Sequence, residues 1–244
     1  MPWDFWLIFF VLGVLLPWRG HLRLKKLLAA PQMDSRERLS LYVSTIVFQW
    51  LAVTITAWRA WAHGLTLEEL GLVVHGRGRI LLAAIVGAAT LGSLQWLNLR
   101  RMGGSSGNSR EFMQALAERI FPRSRVELVL FLGLAATAGL CEEFLYRGFA
   151  MAALTKAELP TWGVVLLSSV LFGLAHLYQG RGGLVSTLFI GIVFGMARIA
   201  YDGMIPVMFW HFAVDAVAGV AGPKYLLRPQ PPAAKGEVPR PVAV

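Results

Sequence analysis

Charge is what this sequence has least of. Only 15% of its 244 residues are Asp, Glu, Lys or Arg, where a soluble chain has roughly a quarter. With 56% hydrophobic residues, that shortage excludes a water-facing surface over most of the chain and points to lipid. Cysteine is nearly absent. The single Cys141 excludes an internal disulfide, and beside two glutamates it still reads as a small buried hydrophobe. The alternation of a membrane β-barrel is missing, as are an internal repeat and an HExxH zinc motif. The first residues, "MPWDFWLIFFVLGVLLPWRG", have no basic leader and no small-residue cleavage site. They are expected to stay as a first helix rather than leave as a signal peptide.

What is present is a series of apolar runs, most of them near the ~20 residues that cross a bilayer as a helix. They cover about 3–18, 39–60, 79–98, 126–156, 161–178, 184–200 and 204–222. In lipid each backbone polar group needs an internal partner, which favours helices. The expected fold is therefore all-α: a polytopic transmembrane bundle of about seven spans. Its parts are residues 1–125, helices with an interfacial linker; 126–222, a catalytic core; and 223–244, a Pro-rich disordered tail.

Cationic residues set the expected orientation. Seventeen of the 23 Lys and Arg fall on one side of the spans and six on the other. The excess side is cytoplasmic by the positive-inside rule, so the N-terminus lies outside and the C-terminus inside. The same rule accounts for the net charge of +9 without nucleic acid as a partner. Trp3, Trp18, Trp58, Trp61, Trp96 and Trp162 stand near span ends, as an aromatic belt would place them. Trp50 and Trp210 can be ordinary core residues. "GGSSGNS" (103–109) reads as a linker, followed by a short helix with Phe112, Leu116 and Ile120 on one stripe. That stripe suits either the membrane interface or a solvent-facing connector.

Against this apolar background, "LCEEFLYRGF" (140–149) stands out. Ionisable groups inside spans are costly and mark function. In the second half they are Glu142, Glu143, Arg147, His176, His211 and Asp215. Glu143 and Arg147 are four apart and can neutralise each other. Glu142 points about 100° away and is left available. His211 and Asp215 share another face. A fourth helix running on to Lys156 puts Glu142 roughly 20 Å below that end, a depth His176 also reaches. A carboxylate can activate a water. Histidines can hold it, stabilise an oxyanion or bind a metal. A set of separate polar residues locking helices together remains open.

Three motifs sharpen the reading. "EEFLYR" (142–147) fits EExxxR, "FGLAH" (172–176) fits FxxxH, and "HFAVD" (211–215) fits HxxxN with Asp in the last place. Their order on three helices resembles the CPBP family of intramembrane proteases, which includes Rce1-type CAAX prenyl endopeptidases and bacterial Abi-like proteins. "LTLEELGL" (65–72) is loosely similar to bacterial members. The resemblance implies an endopeptidase in which Glu142 activates water and His176 and His211 position it or stabilise the oxyanion. Asp215 takes the usual Asn place, Glu143 and Arg147 support the site, and Phe172 lines the pocket. An ionised Asp215 cannot donate a hydrogen bond as an amide would. A protonated acid or an intervening cation resolves that, and a divalent metal such as zinc on His176, His211 and Asp215 is one form of it. The implied partner is a peptide or membrane-protein substrate, and the implied location a bacterial cytoplasmic membrane. A catalytically silent scaffold or immunity protein and a proton-coupled transporter are the rival readings.

Overall fold

The structure, a computed structural model, describes residues 1–29, 33–74, 76–104 and 108–227. Most of the expected tail, and residues 105–107 of the expected linker, lie outside them. Eight helices account for the described chain: α1 (Trp3–Ala29), α2 (Ser35–Ala62), α3 (Arg77–Gly104), α4 (Asn108–Ile120), α5 (Arg125–Lys156), α6 (Thr161–Ala175), α7 (Gly180–Ala200) and α8 (Ile205–Leu226). Among the described residues there is no strand. Six helical stretches are long and apolar enough to cross a membrane, and α6 is a seventh, shorter apolar helix.

The fifth expected span is shorter than its apolar run. It was expected to continue to 178, but α6 stops at Ala175. His176 takes a non-helical conformation there, and its Nδ1–H bonds back to the Phe172 carbonyl at 2.8 Å. A single tight turn, Leu177–Gln179, follows. Gly180 then reverses the chain at φ +79°, which favours glycine. His176 therefore sits at a helix end rather than within a span.

Packing brings α8 against α3 and α5, α6 against α7, and α2 against α5. Small residues allow the close approaches. A Cβ at Gly139 on α5 would stand 2.9 Å from the Met208 carbonyl oxygen of α8, so only glycine lets these two backbones meet. On α3, Gly87 leaves room for the Trp210 ring, whose Nε1–H bonds the Ala83 carbonyl at 2.9 Å. Trp210 is thus a core residue. Trp50 is instead exposed, as are the six tryptophans assigned to a belt.

Each end of the bundle is closed by ion pairs. At the N-terminal end Asp4 holds Arg59 of α2 and His63 just past its end. There too Arg198 reaches the carbonyls of Glu68 and Glu69, fixing the segment 65–72 beneath the α7–α8 joint. At the other end Glu127 accepts from Arg38 (3.0 Å) and Ser35 (2.6 Å). Asp4 and Glu127 fall inside apolar spans, where the sequence reading had not weighed them. The stripe on α4 faces neither lipid nor water alone. Leu116 is buried, and Phe112 lines a cavity.

Candidate active site

The site begins at a change of helical pitch. Over Phe144–Ala150 α5 widens into π-helix, a form that appears mostly as short bulges at functional positions. Just before it stand Glu142 and Glu143. Glu143 and Arg147 are fully buried and paired, Nη1 to Oε1 at 3.3 Å, as their spacing predicted. Charges buried this deeply need further partners. The Arg147 guanidinium lies 4.2 Å from the centre of the Phe172 ring and 5.6 Å from that of Phe194, a cation–π seat.

Glu143 has a second partner that spacing alone did not show. His211 of α8 donates from Nδ1 to Glu143 Oε1 at 2.8 Å. Its other nitrogen, Nε2, lies 3.6 Å from Asp215 Oδ2, one turn further on. Glu143 is thus the hinge between the arginine and a histidine on another helix.

Glu142 looks the other way. Its Oε2 is 3.7 Å from His176 Nε2. Nδ1 of that ring donates to the Phe172 carbonyl, so in the neutral imidazole Nε2 presents a lone pair. At this distance the two atoms are beyond hydrogen-bond reach, and Oε2 is buried without a hydrogen-bond partner. The other oxygen, Oε1, accepts from the Gln49 amide of α2 at 2.7 Å.

Phe172 does more than line the pocket. Besides seating Arg147 and anchoring His176 by its carbonyl, its ring meets the His176 ring at 4.5 Å and that of His211 at 5.8 Å. It joins the two halves of the site.

Glu142, His176, His211 and Asp215 all line one cavity of about 270 Å³, with Gln49 and Tyr178 on its wall. A larger space of about 630 Å³ adjoins it and reaches Gln179 and Arg181. A third, apolar cleft of about 280 Å³ leads from Leu24 and Phe48 to the same glutamate. The four residues named from sequence therefore face a common space in two couples: Glu142 with His176, and His211 with Asp215. Cys141 is buried.

The sequence reading missed Gln49. It treated the polar residues as confined to the late spans, whereas Gln49 brings an amide from α2 to the central carboxylate. The available signal was an uncharged polar residue in a long apolar run, alongside Gln95 and Asn98 of α3, which also line the cavities. Among the described residues no group of three or more His, Cys, Asp and Glu is arranged to hold a metal ion. The Nδ1 bonds of His211 to Glu143 and of His176 to the Phe172 carbonyl occupy one nitrogen of each ring and leave Nε2 of each open.

Residues 124–217 match the family model described as type II CAAX prenyl endopeptidase Rce1-like. The match begins at Ser124, which caps α5, and ends within α8. It contains Glu142, Glu143, Arg147, Phe172, His176, His211 and Asp215, but not Gln49, Gln95 or Asn98. No curated protein and no solved structure matched the chain. The chain is an integral membrane protein in which residues 124–217 are similar to the Rce1-like proteases.

Proposed function

We propose that this protein is an intramembrane endopeptidase that cuts a membrane-associated or C-terminal peptide segment with a water activated by Glu142. The separation of 3.7 Å between two acceptors, Glu142 Oε2 and His176 Nε2, carries the reading. A single water donating one hydrogen to each is held with its lone pairs free for the substrate carbonyl.

In the reaction Glu142 takes a proton from that water as its oxygen bonds to the carbonyl carbon. His211 is held by Glu143 at Nδ1 and offers Nε2–H to the oxyanion when the ring is doubly protonated. Asp215, half-exposed to the cavity, balances that imidazolium in the resting site. Collapse of the tetrahedral intermediate breaks the C–N bond, and the proton on Glu142 passes to the leaving nitrogen. The products are a carboxylic acid, which passes its proton to the released amine to give a carboxylate and an ammonium, and Glu142 is ionised again. Arg147 and Glu143 hold the geometry. The apolar cleft suits a hydrophobic part of the substrate and the wider space its polar remainder. No step uses a metal.

The test is hydrolysis of internally quenched peptides, farnesylated and unmodified at a near-terminal cysteine, by protein in lipid nanodiscs made up in ¹⁸O water. Wild type should cut with one ¹⁸O in the new carboxylate. Glu142→Ala should be slower by about 10²–10⁴-fold, the usual worth of a general base. Undiminished cleavage by Glu142→Ala would refute the assignment.

A further inference from the structure

Gln49 lies outside the matched region and on a helix of the N-terminal half, yet its Nε2 reaches Glu142 Oε1 at 2.7 Å. An ionised carboxylate only accepts hydrogen bonds, so the amide nitrogen must be the end that faces it. The contact divides the two oxygens of Glu142 into different roles. Oε1 is occupied, and Oε2, turned toward His176, has no hydrogen-bond partner.

The arrangement is a poor stability device. The carbonyl oxygen of Gln49 is buried and also lacks a hydrogen-bond partner, and a buried polar atom left unmet costs free energy. A leucine or methionine would fill the same space between α2 and α5 without that unmet oxygen, at the expense of the donor to Glu142 Oε1. A local rule broken this way is expected where function requires it. Neighbouring groups offer no substitute for the amide. Those acting on or packed around Glu142 are Cys141, Glu143, Tyr146 and Arg147 of its own helix, His176 and Tyr178 after α6, His211 and Asp215 of α8, and Arg23 of α1. Of these, Glu143 and Arg147 are engaged with each other, and Arg23 donates to Ser44.

We infer that Gln49 is a positioning residue: its amide fixes the rotation of the Glu142 carboxylate so that Oε2, not Oε1, is the base. The inference rests on the peptidase reading above and extends the working site into the half of the chain without a family match. α2 thereby becomes part of the catalytic assembly rather than a membrane anchor.

The test compares wild type, Gln49→Met, Glu142→Ala and the double variant on the same quenched peptides in nanodiscs, with thermal unfolding alongside. Gln49→Met should unfold close to the wild-type temperature, because removal of the unmet Gln49 carbonyl oxygen offsets the donor that Glu142 loses. Its kcat should fall on the order of a hundredfold, as small displacements of reacting groups do, with KM unchanged. In the Glu142→Ala background Gln49→Met should change the residual rate by less than about twofold, because the group it positions is gone. Infrared difference spectra give a readout independent of substrate. The carboxylate stretch that disappears in Glu142→Gln should move in Gln49→Met, having lost its donor. An unshifted band, or a kcat within about twofold of wild type while Glu142→Ala is inactive, would overturn the role of Gln49 alone. A kcat loss matched by an equal loss in the Glu142→Ala background would assign Gln49 a structural role. Full activity of Glu142→Ala would instead defeat the peptidase reading beneath it, with the infrared band still reporting on the contact.

Discussion

His211 Nδ1 and Glu143 Oε1 meet at 2.8 Å across the α5–α8 contact, so the histidine is oriented by the glutamate next to the proposed base. One residue of the EE pair holds the site's architecture, and its neighbour is free to react. Adjacent glutamates on a helix can divide this way because they point about 100° apart.

Glu143→Leu should therefore be a folding defect before it is a kinetic one. It leaves Arg147 fully buried with its charge uncompensated and His211 without its acceptor. Breaking a buried pair on one side costs about 3–5 kcal/mol. Thermal unfolding in detergent should show that loss, whereas Glu142→Ala should unfold close to wild type.

Gly139→Val should disable the protein without touching a polar group. Gly139 allows α5 to lie against the backbone of α8 near Met208 and Phe212. A larger side chain pushes the helices apart, at about 1–3 kcal/mol for overpacking, and separates Glu143 from His211. Activity should fall more than Tm does, and the two together distinguish this from simple unfolding.

Asp215→Asn should retain or raise activity, while Asp215→Ala should lower it. Asp215 is half-exposed to the cavity and lies 3.6 Å from His211 Nε2. An amide there can donate to the oxyanion, which an ionised carboxylate cannot. Initial rates of the two variants on one peptide decide the matter.

Dialysis against a strong chelator should leave the rate unchanged. Among the described residues no group of three or more His, Cys, Asp and Glu is placed to hold a metal ion. Metal analysis before and after dialysis, with the rate measured on both samples, checks this.

The helical architecture was legible because lipid permits few alternatives: long apolar runs of this composition become helices. Each of the seven expected runs overlaps a helix; most edges move by a few residues, but α1 runs on past the expected end near 18 to Ala29, and α6 stops at Ala175. The Glu143–Arg147 pair was legible for the same local reason, a four-residue spacing. Contacts between distant helices were not. Gln49 and Glu142 are 93 residues apart, and no periodicity links α2 to α5. The engagement of His211 by Glu143 rather than Glu142 depends on the rotation of α8 about its axis, which composition does not fix. The early end of α6 was also hidden, because "AHLYQG" (175–180) continues a run whose turn is set by a side chain bonding its own helix and by Gly180.

The most direct test of the central claim is a comparison of membrane-protein C-termini by mass spectrometry in cells carrying wild type or Glu142→Ala at equal abundance. The account predicts that specific proteins keep an additional C-terminal segment in the variant, and that segment identifies the substrate. Identical trimming of those proteins in both strains would contradict a Glu142-dependent peptidase.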